Sequence, residues 1–329
     1  MNLTGSIKKG KKFINPIPTD EAGLDKMIPI IAEYIYHSGQ NVPKKKLGPF
    51  KTDTSIYNTS PASGLRVTWV GHSSLFIEVD GIRILTDPVW SQRVSFSQAM
   101  GPKRFFNPPI ALTDVPKPDV IIVSHDHYDH LDKATIKFFA GSDIQFITPL
   151  GVSKYLEQWG ILKNYIHEVD WGDSVMIKDC NITSTPSRHF SGRGITNRNE
   201  TLWSSFVIKG PQHNIFFGAD SGWFPGFEDI GKAFGPFDLT MLEIGAYGKY
   251  WPDIHMGPDN ASNAHIALRG DIMMPIHWGT FNLAPHDWFE PAERLEKFSK
   301  EKNIKLFLPE PGKPTEVSTY NSKWWKPFM

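Results

Sequence analysis

The sequence has one cysteine, no net charge and no long apolar run, and each shortage excludes a class of protein. With Cys180 alone, the chain of 329 residues cannot form an intrachain disulfide. Its 35 lysines and arginines balance its 35 aspartates and glutamates, which leaves no general positive field to capture a nucleic acid. No uncharged apolar run reaches the roughly 18 residues that a membrane-spanning helix needs. Hydrophobic residues nevertheless make up 40% of the chain, which is enough for a sizeable core.

The first 60 residues are polar and basic and differ in composition from the rest of the chain. They carry no apolar segment of the signal-peptide kind, so we expect a cytoplasmic protein or one held at the inner face of a membrane. Residues 24–36 predict a short amphipathic helix that Pro29 opens or kinks. This helix either packs onto the main domain or contacts a membrane or a second copy of the chain in a homodimer. Residues 44–46 are three lysines and predict a solvated loop, with anionic lipid headgroups as the alternative partner.

From Leu65 onward, short apolar segments typical of strands alternate with segments typical of helices. Asp80-Gly81 separates two of these strands and predicts a two-residue hairpin. The predicted strands are 65–70, 75–79, 82–86, 119–124, 144–148, 166–169, 174–178, 181–185, 202–208, 214–219, 238–243, 272–276 and 304–308. The predicted helices are 132–140, 151–159, 226–234, 258–269 and 290–301. These two mixed halves predict two sheets packed face to face, with helices outside and the functional site at the strand ends.

A run of histidines and aspartates follows the strand near residue 120: Ser124-His125-Asp126-His127-Tyr128-Asp129-His130. Buried without partners, each imidazole or carboxylate would cost several kcal/mol. One metal ion needs three or four such groups, and two adjacent ions need six or seven. His189, Asp220 and His277 supply the missing number. The sequence therefore predicts a binuclear metal site that performs hydrolysis, with a mononuclear site or purely structural histidines as alternatives.

The seven candidate ligands divide into two sets and a bridge. We expect one metal ion on three imidazoles: His125, His127 and His189. We expect the second on a carboxylate and two imidazoles: Asp129, His130 and His277. Asp220 and a water would bridge the two ions, which we expect about 3.5–4 Å apart. Zinc lowers the pKa of such a water to roughly 7, so a hydroxide can attack a carbonyl carbon or phosphorus. The nitrogen-rich set favours two Zn²⁺ ions, with manganese or iron as alternatives.

Three further segments were weighed for chemistry. Asp87 ends a buried strand and either orients a ligand histidine or caps a turn. Residues 71–75 have leucine where the nucleophile elbow of a serine hydrolase needs its second glycine, so that mechanism is excluded there. Cys180 has no base near it in sequence, which predicts an inert thiol.

Several separated stretches resemble the metallo-β-lactamase fold superfamily and, within it, the N-acylphosphatidylethanolamine-hydrolysing phospholipase D family. The resemblance covers residues 62–285. Two motifs distinguish the family from the rest of the superfamily: Gly-Pro-Lys-Arg at 101–104 and His-Trp-Gly-Thr at 277–280. The other matching stretches are 69–73, 86–88, 124–132, 185–189, 218–222, 235–239 and 244–247. The resemblance implies an α/β protein built as a four-layer αββα sandwich of two mixed sheets. It places this hydrolase domain at residues 61–329 and an amino-terminal extension at 1–60.

The resemblance also implies an activity and a site. It implies two Zn²⁺ ions on the seven ligands and cleavage of a phospholipid to N-acylethanolamine and phosphatidic acid. The expected catalytic residues are Asp220, Asp129 and His255. His255 matches the family histidine that contacts the substrate amide, although Ile254 replaces the glutamine before it. Tyr128 and His72 are further candidate substrate contacts. Peripheral membrane contact is expected, and no nucleic-acid partner.

Two other functions stay open at this point. Lactone-hydrolysing members of the same fold share the Trp-x-Gly-His start and the Asp-Pro turn, so a lactonase or another phosphodiesterase is the alternative enzyme. A metal-binding regulatory protein is the alternative outside enzymes, and metal-dependent turnover would distinguish it.

Overall fold

Two mixed β-sheets, of seven and eight strands, form the centre of the described chain. The computed structural model describes residues 3–21, 23, 26–36, 38–194 and 196–329. In chain order the strands are β1 (Ile7–Lys9), β2 (Lys12–Ile14), β3 (Leu65–Gly71), β4 (Ser74–Val79), β5 (Ile82–Thr86), β6 (Val120–Ile122), β7 (Gln145–Pro149), β8 (Ile166–Val169), β9 (Ser174–Ile177), β10 (Cys180–Thr185), β11 (Ser205–Lys209), β12 (Asn214–Phe217), β13 (Phe237–Glu243), β14 (Gly270–Ile276), β15 (Lys305–Leu308), β16 (Thr315–Glu316) and β17 (Tyr320–Asn321). The α-helices are α1 (Met27–Tyr36), α2 (Lys133–Phe138), α3 (Ser153–Gln158), α4 (Gly226–Phe234), α5 (Gly257–Ala267) and α6 (Glu290–Glu301). Short 3₁₀ turns lie at Thr54–Asn58, Leu112–Asp114, Lys163–Tyr165 and Lys326–Phe328.

The first sheet has the strand order β16-β3-β4-β5-β6-β7-β8. It is antiparallel from β16 through β5 and parallel from β5 through β8. The predicted hairpin is confirmed, because Val79 pairs with Ile82 and the turn residues Asp80 and Gly81 have φ of +49° and +85°. The parallel strands end together, which brings the loop after β6 to one edge of the sheet.

The second sheet has the order β17-β15-β14-β13-β12-β11-β10-β9. It is antiparallel from β9 through β12 and parallel from β12 onward. One buried cluster joins Trp69 and Ile84 of the first sheet to Phe217 and Met241 of the second, so the sheets pack face to face. Helices α2 and α3 pack on the outside of the first sheet, and α4 and α5 on the outside of the second. The predicted four-layer αββα sandwich is confirmed.

Element boundaries differ from the prediction where strands approach the edge that carries the histidines. Strand β6 ends at Ile122, because the backbone N–H and hydroxyl of Ser124 turn to Asp87 instead of continuing the ladder. Strands β11 and β12 are likewise shorter than 202–208 and 214–219. In the predicted helix 24–36, residues 24 and 25 lie outside the described residues, and Pro29 lies in the first turn of α1. Among the described residues, no helix combines the length and the apolar composition needed to cross a membrane.

The amino-terminal extension packs onto the sheets rather than standing apart. Phe13 is buried against Trp171 and Trp203, and its backbone N–H donates to the carbonyl of Asn199. The division of the chain at residue 60 stays a prediction.

The turn residue Asp80 also ties the first sheet to the second. Its carboxylate accepts hydrogen bonds from the backbone N–H groups of Gln212 and His213, at 2.9 and 2.8 Å, in the loop between β11 and β12. Its other oxygen lies 2.6 Å from Nδ1 of His213. Burial alone would raise the pKa of Asp80, but these hydrogen bonds lower it below its usual value.

Replacing Asp80 with asparagine tests this tie, because asparagine also tolerates positive φ but carries no charge. We expect Asp80→Asn to lower the free energy of unfolding by about 1.5 kcal/mol at neutral pH. Because the pKa of Asp80 is lower in the folded protein than its ordinary value of 3.8, the ionised carboxylate stabilises the fold fully above pH 3.8. This stabilisation is lost as the pH falls through the pKa of the folded protein. We therefore expect the difference in free energy of unfolding between the two proteins, measured by urea unfolding, to be smaller at about pH 3 than at neutral pH. An equal difference at both pH values would assign the effect to the turn and not to the charge.

Candidate metal centre

The loop after β6 turns four side chains towards one point. Its backbone leaves the sheet after Val123, and the carbonyl of Ser124 accepts from the backbone N–H of Ser204, the residue before β11 of the second sheet. The carbonyl of His127 then accepts from the N–H groups of His130 and Leu131, which closes a tight turn. Because of this turn, His130 faces the same way as the residues before it, which a regular strand would not allow.

Three of the predicted ligands form a cluster of imidazoles at this turn. Nδ1 of His127 lies 2.9 Å from Nε2 of His125 and 3.3 Å from Nε2 of His189. His189 comes from the loop after β10 in the second sheet. The candidate ligand atoms of all three residues lie within 4.8 Å of one another, the spacing that one metal ion requires.

The other predicted ligands form a second cluster beside the first. Asp129, His130 and His277 are within the same 4.8 Å limit, together with His72. Oδ2 of Asp220 lies 3.0 Å from Nε2 of His130 and 3.1 Å from Nε2 of His277. The same oxygen lies 3.9 Å from Nε2 of His125 and 3.7 Å from Nε2 of His189. The structure thus brings all seven predicted ligands together, with Asp220 between the two clusters.

The polar atoms of this centre fit a bound cation. Nε2 of His130, Nε2 of His277 and Oδ1 of Asp220 are buried and have no hydrogen-bond partner among the described residues. The contacts of Nε2 of His130 and His277 with Asp220 are short but lack hydrogen-bond geometry. Unpartnered buried imidazole and carboxylate atoms are costly unless a metal ion binds them. Nitrogen and carboxylate donors in this ratio suit zinc and other transition metals.

The pKa shifts show that the centre requires positive charge. Burial lowers the pKa of His125 and His189 well below the usual value and that of His127 to about 4, so these imidazoles are neutral and ready to bind metal. Burial would also lower the pKa of His130 and His277, but Asp220 raises it, to about 10 for His277. The buried carboxylates therefore need either protons on these two imidazoles or metal cations beside them.

Asp87 holds His130 in position. Its Oδ2 lies 2.6 Å from Nδ1 of His130, which leaves Nε2 of that ring to face Asp220. The hydroxyl and backbone N–H of Ser124 donate to the same carboxylate at 2.6 and 2.7 Å. Hydrogen bonding of this kind fixes the tautomer and orientation of a ligand histidine. The sequence left two roles open for Asp87, orienting a ligand histidine or capping a turn. This contact is the one that the first role requires.

His72, expected near the substrate, lies behind the ligands instead. It is 1% exposed, and its Nε2 lies 3.0 Å from Oδ2 of Asp129. Its carbonyl accepts from the backbone N–H of His277. We therefore assign His72 a positioning role and no substrate contact.

Glu243 is a buried residue of the centre that the sequence analysis missed. It ends β13, and its Oε2 lies 2.5 Å from Nδ1 of His255 and 3.8 Å from Nδ1 of His277. Its Oε1 accepts from the backbone N–H groups of Ser221 and Met256. Burial raises the pKa of Glu243. A single acidic residue at the end of an apolar strand was the signal that could have identified it.

The remaining predicted contacts, His255 and Tyr128, lie at the edge of the cluster. The side chain of His255 is 12% exposed, and its ring centroid lies 5.1 Å from that of His189. The hydroxyl of Tyr128 donates to the carbonyl of Arg193, whose guanidinium lies 4.0 Å from the tyrosine ring centroid. Tyr128 is on the wall of a cavity of about 780 Å³. The other aromatic and apolar residues that line this cavity are Phe96, Leu131, Ala134, Tyr155 and Trp159.

Comparisons with known proteins agree with this fold. The model of the beta-lactamase superfamily domain matches residues 82–278, more than half of the chain. An N-acyl-phosphatidylethanolamine-hydrolyzing phospholipase D of Caenorhabditis elegans is 33% identical over 313 residues, which cover 88% of this chain and 87% of that protein. An uncharacterized protein of Mycobacterium tuberculosis is 44% identical over 272 residues, which cover 80% of this chain and 73% of that protein. The solved structure of a metallo hydrolase from Ignicoccus hospitalis has a TM-score of 0.58 at 23% identity, covers 77% of this chain and 98% of its own, and supports the fold alone.

The fold and the clustered ligands define a metal-dependent hydrolase of the metallo-β-lactamase fold. Within this superfamily the chain belongs to the N-acylphosphatidylethanolamine-hydrolysing phospholipase D-like family. This relationship favours an enzyme over the metal-binding regulatory protein that the sequence left open.

The two clusters predict two metal ions per chain. We expect elemental analysis of the zinc-reconstituted protein to give about two equivalents, and His125→Ala to retain about one. His167→Ala is the matched control, because His167 contacts Gln145 on β7, outside the clusters, and should keep both ions. One equivalent or less in the unmodified protein would contradict a binuclear centre.

Proposed function

We propose that the protein is a binuclear zinc-dependent phosphodiesterase of the phospholipase D type, acting on N-acylphosphatidylethanolamine-like lipids. The proposal of two ions rests on the position of Asp220, because its Oδ2 lies within 3.9 Å of imidazole nitrogens from both clusters. The likeness to the phospholipase D of Caenorhabditis elegans over most of both chains supports the lipid class.

The ligand residues would hold the ions in the arrangement expected from the sequence. The first ion would lie among His125, His127 and His189, and Asp220 would face both ions. The second would lie among Asp129, His130 and His277. Bound there, two zinc ions would supply Lewis acidity and lower the pKa of a shared water. Hydrolysis would then break the bond from phosphorus to the ethanolamine oxygen, releasing N-acylethanolamine and phosphatidic acid.

We propose that Asp129 orients the attacking water. Its side chain is 16% exposed, whereas that of Asp220 is 2% exposed, so Asp129 is the more accessible carboxylate of the pair. Burial would raise the pKa of Asp129, but His130 and His277 lower it well below the usual value, so the group is ionised at neutral pH. His72 holds Oδ2, which leaves Oδ1 to accept a proton from water.

We propose that His255 contacts the substrate. Glu243 holds its Nδ1, so Nε2 is the nitrogen that remains for a polar group of the lipid. The loop before it contributes an apolar wall, in which Trp251 and Ile254 pack with Ala284. Ile254 stands where the family has glutamine, and its carbonyl lies 2.9 Å from Nδ1 of His189. The backbone of Ile254 therefore orients a candidate ligand, while its side chain packs in this apolar cluster.

The decisive test is product analysis with the zinc-loaded protein. N-acylphosphatidylethanolamine should yield N-acylethanolamine and phosphatidic acid, and simple lactones should not turn over. Asp220→Asn should lower kcat at least about 10²-fold, because an amide cannot offer two anionic oxygens to the centre. Asp114→Asn, which changes an exposed carboxylate in a 3₁₀ turn, is the control and should leave kcat unchanged. Lactone turnover without lipid turnover would overturn the proposal in favour of a lactonase.

His255→Ala should weaken substrate recognition without removing metal. Loss of one hydrogen bond to a strongly polar group predicts a fall of roughly 10- to 100-fold in kcat/KM, mostly through KM, or a change in substrate preference. His167→Ala again serves as the control. Elemental analysis must accompany the kinetics, because a variant that loses an ion would show that His255 supports the centre. Unchanged kinetics on all lipids would remove His255 from the substrate site.

A further inference from the structure

Residues 13–21, which we call the strap, lie against the loop between β10 and β11. At the start of the strap Phe13 is buried in an aromatic cluster, and Ile17 packs against the main core. At its end the carboxylate of Glu21 accepts from Nδ2 of Asn199 in that loop, at 3.0 and 3.1 Å. The strap is therefore held along its length by the folded domain.

The side chain of Asn15, in the strap, holds the backbone of a candidate metal ligand. Its Oδ1 accepts from the backbone N–H of His189 at 3.0 Å, and its Nδ2 donates to the carbonyl of the same residue at 2.7 Å. A residue of a paired antiparallel strand would make the same two bonds. The ring of His189 is held separately, because its Nδ1 lies 2.9 Å from the carbonyl of Ile254. Nε2 is the atom that remains for a metal ion.

The strap also reaches His127, a second candidate ligand of the same cluster. Oε2 of Glu21 accepts from Nε of Arg198 at 3.0 Å, and the carbonyl of Glu21 accepts from the same guanidinium. This guanidinium lies 4.3 Å from the ring centroid of Phe190. The ring of Phe190 packs edge-on against that of His127, with 4.4 Å between centroids. The strap thus supports two of the three imidazoles of the first cluster.

The second cluster is held by other residues. Asp87 holds His130, and His72 holds Asp129. Among the described residues, no hydrogen bond or ion pair joins the strap to Asp129, His130 or His277. The strap therefore acts on one of the two candidate ion positions.

We propose that Asn15 is a positioning residue for the first metal ion and that the strap raises the affinity for this ion without affecting the second. Loss of a residue that orients a metal ligand typically lowers metal affinity about 10- to 100-fold. Asn15 uses both polar groups of its amide on His189, so it would orient the ligand without touching the ion. The proposal rests on the two-ion centre of the proposed function and is independent of the substrate.

Competition for zinc between the full chain and a chromophoric chelator tests the proposal. The unmodified protein should give two stepwise dissociation constants, and Asn15→Ala should raise one of them about 10- to 100-fold and leave the other unchanged. Asn214→Ala is the matched control, because Nδ2 of Asn214 likewise donates to carbonyls, those of Phe234 and Pro236, at 2.7 and 2.8 Å. Asn214 lies at the opposite end of β12 from Asp220, so this variant should lose comparable stability in urea but keep both constants.

Two further measurements assign the effect to the contact. His125→Ala lacks a ligand of the first ion, so adding Asn15→Ala to it should leave the affinity for the remaining ion unchanged. In the metal-free protein, amide hydrogen exchange at His189 should be faster in Asn15→Ala and normal in Asn214→Ala. If Asn15→Ala does not fold, Asn15→Asp takes its place, since it keeps the acceptor, loses the donor and should raise the same constant.

Unchanged constants in the Asn15 variant, or an equal rise in both, would overturn the proposal. So would the same rise in Asn214→Ala, because the effect would then come from general stability. A single equivalent of zinc in the unmodified protein would contradict the binuclear centre of the proposed function. In that case the role of Asn15 would stand if Asn15→Ala weakened the one bound ion, and would fall if it did not.

Discussion

Asp220 is the constraint around which the rest of the structure is arranged. Its side chain is 2% exposed and lies among four imidazoles that come from both sheets. A buried anion of this kind is stable only if cations or polarised hydrogen-bond donors surround it. The two sheets must therefore end at the same edge and in a fixed register. The loop after β6, the loop after β10 and the residue after β14 all turn towards this one oxygen pair.

The backbone around the centre is strained where it makes these turns. Asp87, Ala219 and His277 have positive φ although none is glycine. At Gly245 a Cβ would lie 2.1 Å from the carbonyl oxygen of His277, so only glycine allows this approach. Stacking of Trp278 on Trp69, with 5.5 Å between ring centroids, holds the residue after His277. Strain at ligand positions is thus offset by aromatic packing directly beneath them.

The sequence was sufficient to predict the fold and to name seven residues that the structure brings together, and the reason is local. Asp80-Gly81 specifies its hairpin without help from distant residues, and the histidine run follows an apolar strand whose end fixes its location. The residues that the sequence did not reveal depend on contacts between distant segments. Glu243 acquires its role only when the loop carrying His255 folds back over β13. The placement of His72 behind Asp129 follows from contacts across 57 residues, which no spacing rule predicts.

The amino-terminal extension has a consequence for the order in which the chain assembles. The side chain of Asn15 both accepts from the backbone N–H of His189 and donates to its carbonyl, across 174 residues. During synthesis Asn15 leaves the ribosome long before this partner exists, and His277 emerges later still. The first sheet can form early, but the centre closes only when nearly the whole chain is available. A chain stopped short of β14 would hold six of the seven candidate ligands and would lack His277, so the second cluster is completed only late in synthesis.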